Sequence, residues 1–376
     1  MNIKNNYNEC ITNVACSIRK YFELEYHHQT NSYIDKILEE YNPTNVVLIL
    51  FDGMGSRILD KTLSKEDFFI KNRVKEITTV FPATTTAATT SIRTGLNPVE
   101  HNWLGWNTYI KPINKTITLF RNHEKGKDEI CEEFLNVKDK LVTTTIADEI
   151  NNNGKYKAME LFPFGDNPYQ NLDDMLNIIK EETKKTGHKY IYAYDPEPDH
   201  TMHDFGPFSN ETKTLIEERN KKVEELSNSL EDTLLIVIAD HGHIKVDNIY
   251  LENYPEIINT LERTPSLEQR AISFKIKEAK KEEFEQVFNE NFGEWFNLYP
   301  KEEVITSQLF GDGIPNELFE SAIGDYIAIA ENSNKCLVGE GDESLYSQHA
   351  GYTDDEVYIP LIISNKTKKL KKSKSW

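Results

Sequence analysis

The sequence predicts an α/β protein in which a mostly parallel sheet is sandwiched by helices and carries an inserted, smaller α+β cap. Three observations predict it. Runs without a polar residue, VVLILF at 46–51 and LLIVIA at 234–239, read as strands buried on both faces, as parallel strands are. Stretches of helical period separate such runs, so strand and helix alternate as they do in a sheet covered by helices. Beyond residue 246 the rhythm changes to half-exposed strand patterns, which marks a different unit.

In chain order, residues 8–40 read as helix, with Ile11, Val14, Ile18, Tyr21 and Phe22 at apolar positions and Pro43 ending the stretch. The first core strand follows and delivers Asp52 into a Gly-Met-Gly turn. A strand at 76–81 enters Pro82-Ala-Thr-Thr-Thr, where the proline and threonines fit a helix start and Gly95 a C-cap. Residues 99–135, with Trp103, Trp106 and Tyr109, suit an irregular loop over a site. Helix 141–153, strand 155–161, helix 172–186, strand 188–194, the amphipathic helix 211–230 and strand 234–239 then alternate. Strand 271–277, which alternates like a half-exposed antiparallel strand, helix 281–292 and strand 325–330 form the cap. The expected organisation is thus a core of residues 1–245 and 341–376 with the cap at 246–340. The chain returns through Gln348, His349, Ala350 and Gly351 to a last strand at 357–363.

Composition excludes several classes of function. A formal charge of −19 is the opposite of the basic footprint that holds nucleic acid through its phosphates, so no stable nucleic-acid partner is expected. Cys10, Cys16, Cys131 and Cys336 show no C-x-x-C spacing and read as reduced thiols of a cytoplasmic protein. No apolar window reaches 18 residues and the N-terminus has no apolar leader core, so no membrane association is expected. The lysine-rich stretch 366–376 reads as a solvated end.

The chemistry sits where the strands end. Asp52, Asp199, His203, Asp240, His241 and His349 all follow apolar runs or the return segment, and three carboxylates with three imidazoles suit two divalent ions of borderline softness, zinc first. Asp199 and His203 stand at i and i+4 and share an ion if the segment is helical. The nucleophile candidate lies among Thr84, Thr85 and Thr86. A hydroxyl at a helix N-terminus beside a metal gains an acidifying field, and the free backbone N–H groups there can hold a phosphoryl group. His200, His243 and Glu197 read as flanking or loop-bracing groups, and the aromatics of 103–109 as packing or stacking surface.

The motifs FDGMG, FPATTTAATTSIRTGLNPVEHNWLG, EPDHTMHDFGP, ADHGH and QHAGYTDDEVYIPL, in this order, resemble the alkaline phosphatase superfamily, and within it the type I phosphodiesterase / nucleotide pyrophosphatase family. The resemblance spans about residues 46–363. It implies an alkaline-phosphatase-like core and a hydrolase acting on a small phosphoester or nucleotide substrate. It implies one zinc ion on Asp52, Asp240, His241 and the attacking Thr85, and a second on Asp199, His203 and His349. Thr85 is preferred over its neighbours because it precedes Gly95 by the ten residues at which the family keeps its nucleophile. Asn107 is the nearest counterpart of an asparagine that in the family contacts phosphoryl oxygens, at a spacing one residue different. Diesters are expected over monoesters, because residues 99–110 contain no Lys or Arg to meet a dianion's extra charge. The alternatives are a phosphomonoesterase or phosphonate hydrolase on the same site, a sulfatase, whose branch uses a modified cysteine or serine and is disfavoured because no cysteine lies near position 85, and a non-catalytic metal-stabilised binding protein.

Overall fold

A computed structural model describes residues 4–165 and 168–367, so residues 368–376 of the lysine-rich tail lie outside it. The central sheet has six strands: β1 (Asn45–Phe51), β2 (Arg73–Thr78), β3 (Lys157–Leu161), β4 (Lys189–Asp195), β5 (Thr233–Ile238) and β6 (Tyr358–Asn365). Their spatial order is β2-β6-β5-β1-β4-β3. β1 pairs in parallel with β4 and β5, and β3 in parallel with β4, while β6 runs antiparallel between β5 and β2. Only β6 is reversed, so the sheet is mostly parallel as expected. Every residue of β1, β4 and β5 is buried, which is why 46–51 and 234–239 read as unbroken apolar runs.

Three local expectations are corrected. The helix at 8–40 is two helices, Ile11–Tyr21 and Ser32–Tyr41. The second begins where the Asn31 side chain accepts the N–H groups of Tyr33 and Ile34, a competing cap that periodicity alone overlooks. β2 lies at Arg73–Thr78 rather than 76–81. It is an edge strand, and an edge tolerates the charged Arg73, Lys75 and Glu76 that hid its start. Residues 99–135 are not an irregular loop: they supply Asn107–Ile110, Lys115–Thr118 and His123–Glu124 to a second, antiparallel sheet.

That sheet has seven strands in the order Asn297–Pro300, Tyr326–Ile329, Ala271–Phe274, Ser266–Leu267, Asn107–Ile110, Lys115–Thr118, His123–Glu124. Helix Lys281–Phe292 lays Phe284, Phe288 and Phe292 against Ile272 and Phe274. Ala271, Ile327 and Ile329 face a separate cluster with Phe310 and Tyr352. Ala271–Phe274 is therefore buried on both faces, not half-exposed. The two sheets are joined by Arg270 and Glu356, both fully buried and paired through two hydrogen bonds of 2.7 and 2.9 Å. Among the described residues no helix is long and apolar enough to cross a membrane.

Candidate metal centre and substrate cavity

The parallel register brings the carboxyl ends of β1, β4 and β5 side by side, with Phe51 opposite Asp195 and Leu50 opposite Ile238. Asp52 follows β1, and Asp240 and His241 follow β5. The close fit at this edge depends on Gly242, where a β-carbon would stand 1.8 Å from the Asp355 carbonyl oxygen. The segment after β4 is helical over Asp199–Phe205, which puts Asp199 Oδ2 and His203 Nε2 3.1 Å apart. Thr84 is the N-cap and Thr85 the first residue of helix Thr85–Thr94, which Gly95 closes in the left-handed conformation. Thr85 Oγ1 lies 3.4 Å from Asp52 Oδ1 and 3.2 Å from His241 Nε2. His349 comes in from the return segment, its ring stacked on His241 at 3.9 Å between centroids. All seven residues expected at a metal site from the sequence thus meet at one edge of the sheet.

The imidazoles share one orientation. His203 Nδ1 donates to the Ser347 carbonyl at 2.8 Å, His241 Nδ1 to the Gly242 carbonyl at 2.9 Å and His349 Nδ1 to the Ala83 carbonyl at 3.2 Å. With the proton on Nδ1 taken by a backbone acceptor, the neutral form of each ring would turn its Nε2 lone pair inward, the tautomer a metal ligand needs. His243, read from sequence as a flanking group, belongs with them. It is buried, its Nδ1 meets the Ser347 hydroxyl at 2.5 Å, and its Nε2 stands 3.1 Å from Asp199 Oδ1 without hydrogen-bond alignment. The signal was present: the glycine of Asp-His-Gly-His separates two imidazoles at i and i+2, the spacing that puts both on one side of an extended segment. Asp199, His203, His243 and His349 offer ligand atoms within 4.8 Å of one another, as do Asp52, Asp199 and His241.

Electrostatics make the same demand. Burial, and then the charge of Asp199, pushes the Asp52 carboxyl well above the usual range. Burial and then Asp52 do the same to Asp240. Asp199 is held well below it: burial opposes its charge, and His203 and His243 together overcome the burial. His203 in turn rises to about 9: burial opposes its charge, and Asp199 overcomes it. Asp240 Oδ2 and Asp199 Oδ1 are buried without a hydrogen-bond donor. Buried carboxylates crowded in this way call for positive charge among them, and the mixture of oxygen and imidazole donors fits divalent ions. Tyr194, unremarked in the sequence, donates to Asp52 Oδ2 at 2.5 Å, which leaves Oδ1 as the oxygen turned toward Thr85.

Above this floor is a cavity of about 480 Å³ bordered by Thr84, Thr85, Trp106, Asn107, Glu268 and His349. Asn107 is in place but engaged: its Oδ1 accepts from Thr118 at 2.7 Å and its Nδ2 donates to Asp342 at 3.2 Å. Cations do reach the cavity, from beyond the 99–110 segment. Arg121 lies 3.8 Å from Glu343 and Lys127 2.8 Å from Glu124, so each is already paired. Glu197 braces the loop before the site by accepting the Thr201 N–H at 3.1 Å.

A mostly parallel sheet flanked by helices, with carboxylates, imidazoles and a helix-heading threonine at its strand ends, defines an alkaline-phosphatase-like hydrolase. The type I phosphodiesterase / nucleotide pyrophosphatase profile matches residues 46–353, and the chain belongs to that family of metal-dependent hydrolytic enzymes. Murine ectonucleotide pyrophosphatase / phosphodiesterase 5, in an inactive form in complex with AMP, superposes with a TM-score of 0.65 at 19% identity, covering 85% of this chain and 88% of the murine one. The human counterpart gives a TM-score of 0.64 at 20% identity, with 85% and 87% covered. Comparison with curated protein sequences gave no match.

Proposed function

We propose that this chain hydrolyses phosphodiester or nucleotide pyrophosphate bonds, with Thr85 as nucleophile at a site for two divalent ions, zinc first. The observation that carries the reading is the meeting of Thr85 Oγ1 with Asp52 Oδ1 and His241 Nε2 at the head of a ten-residue helix. Asp52, Asp240, His241 and Thr85 would hold one ion, and Asp199, His203 and His349 the other, with His243 beside it. Such ions supply charge for the phosphoryl oxygens and acidify a nearby hydroxyl.

The residues of the chain account for the rest. Asp52 Oδ1 at 3.4 Å and His241 Nε2 at 3.2 Å are the acceptors within reach of the Thr85 hydroxyl proton. The first intrahelical bond of this helix is Ala88 N–H to the Thr84 carbonyl, so the N–H groups ahead of it are free to donate to a phosphoryl group. Thr85 Oγ1, its proton passed to Asp52 or to water, forms a bond to phosphorus as the bond to the leaving oxygen breaks and that oxygen takes a proton from water. Water then attacks the phosphothreonine, and the Oγ1–phosphorus bond breaks to restore the hydroxyl. The nucleotide bound by the murine relative supports a nucleotide-bearing substrate.

The second reading, a phosphomonoesterase or phosphonate hydrolase, rests on Arg121 and Lys127, which border the cavity and would serve a dianion if released from their acidic partners. The deciding experiment compares kcat/KM for bis(p-nitrophenyl) phosphate and p-nitrophenyl phosphate on the zinc-loaded protein. A ratio above one is expected, and a ratio well below one moves the assignment to the monoesterase. The proposal also divides the chain into a catalytic core, residues 1–245 and 341–376, and an inserted cap, 246–340, whose sheet the strands of 107–124 extend. It places the protein in the cytoplasm, a setting that suits four buried, free cysteines.

A further inference from the structure

Among the carboxyl groups that border the cavity, two beside Trp106 and Asn107 stand in opposite circumstances. Asp342 is neutralised by Lys125 at 2.9 Å, both side chains nearly buried. Glu268 has no cation within ion-pair distance among the described residues. Its Oε1 accepts two hydrogen bonds of 2.6 Å, from the Thr84 hydroxyl and the Trp106 N–H. Its Oε2 accepts none among the described residues, and Glu268 borders the same cavity as Thr85.

The backbone is built to put it there. Leu267, the residue before it, has φ +71°, a conformation that a bulky side chain adopts only when its surroundings impose it. Gly105 is the surrounding: a β-carbon there would lie 3.0 Å from the Leu267 α-carbon, a contact so tight that glycine favours the close approach of the two segments. Burial pushes the Glu268 carboxyl up to about 7, against the pull of the Thr84 and Trp106 donors. Above that pH the carboxyl is ionised and presents its charge to the cavity.

We propose that Glu268 is a specificity-determining residue, a charge filter that disfavours phosphomonoester dianions over diester monoanions in this cavity. The inference rests on the phosphodiesterase reading and names the group that would enforce it. It works by repelling the wrong substrate when ionised, since like charges sharing a cavity of reduced dielectric repel appreciably, and a dianion more than a monoanion.

The test is the ratio of kcat/KM for bis(p-nitrophenyl) phosphate to that for p-nitrophenyl phosphate, in the zinc-loaded protein and in its Glu268→Gln and Glu268→Ala variants. Glutamine keeps an acceptor for Thr84 and Trp106 and removes the charge. Its ratio should fall by about tenfold or more. Alanine also gives up the two hydrogen bonds, and should shift the ratio in the same direction while lowering both rates. Damage to the fold alone lowers both rates together and leaves the ratio where it was. An unchanged ratio in both variants overturns the filter. If the parent protein prefers the monoester, the diesterase reading fails. The filter then stands only if Glu268→Gln still raises the monoester rate relative to the diester.

Discussion

The floor of the cavity and its wall reach the same place by different routes. The floor is carried mainly on β1, β4, β5 and the helix Thr85–Thr94, with His203 one turn into the helix Asp199–Phe205 and His349 entering from the return segment. The wall comes from segments around 105–128, 266–269 and 341–343, joined by antiparallel pairing such as Leu267 opposite Asn107. A rigid, wholly buried sheet suits the floor because metal ligands and a nucleophile must be held to a fraction of an ångström. The wall needs only to present the right charge and shape, and loops between short strands do this. On the proposed function, reaction type and substrate choice would be carried by separate parts of this molecule, joined by Arg270 and Glu356.

The largest expected effect is on the floor. Thr85→Ala should lower kcat roughly 10³-fold or more, by analogy with removal of a covalent nucleophile elsewhere. Its circular dichroism should be unchanged, and Thr85→Ser should retain measurable turnover. Near-parent rates for the alanine variant would pass the attack to Thr84, Thr86 or water.

The joint comes next. Glu356→Ala leaves Arg270 buried without its partner and should cost about 3–5 kcal/mol in urea unfolding. The carboxyl of Glu356 is lowered from its ordinary value of 4.5: burial opposes ionisation, and Arg270 overcomes it. A lowered carboxylate contributes stability that is complete above its unfolded value and is lost as the pH falls through the folded one. Acid unfolding below pH 4.5 should therefore flatten in the Glu356→Gln variant. An equally steep acid limb would show that the pair does not hold the two sheets together.

Metal removal should have an intermediate effect. Stripping the protein with a chelator should lower its Tm, and zinc at a hundred times its Kd should restore about 2.7 kcal/mol per site. A Tm indifferent to both would argue against divalent ions at the floor. The smallest effect belongs to the rim of the wall. Arg121→Ala removes a pair whose side chains are 56% and 71% exposed, and should change stability by less than about 1 kcal/mol. A large gain in the diester to monoester ratio in this variant would bring Arg121 into the phosphoryl site and favour the second reading.

How much could be read in advance follows the same division. Asp52, Asp240 and His241 were legible because each follows a run of apolar residues that only a buried strand explains. Asp199 and His203 were legible by their helical spacing. His243 was readable from its spacing to His241 and was passed over as a neighbour. Tyr194 and Glu268 had no signal: a tyrosine ending an apolar strand and a glutamate between short strands look the same whatever they face. The second sheet's share of 99–135 was equally hidden, because its short strands are stable only through partners far along the chain.

The sequence by itself determined the strand-ending carboxylates and imidazoles, the threonine at a helix head and hence the class of chemistry. Burial and helical period are local properties, and they write themselves into residue type along the chain. Tertiary structure alone decided which group stands over the nucleophile, which cations are already neutralised and which carboxyl faces the cavity unpaired. Charge pairing and close backbone approach, as between Gly105 and Leu267 or Lys125 and Asp342, depend on distances that exist only once separate segments have packed.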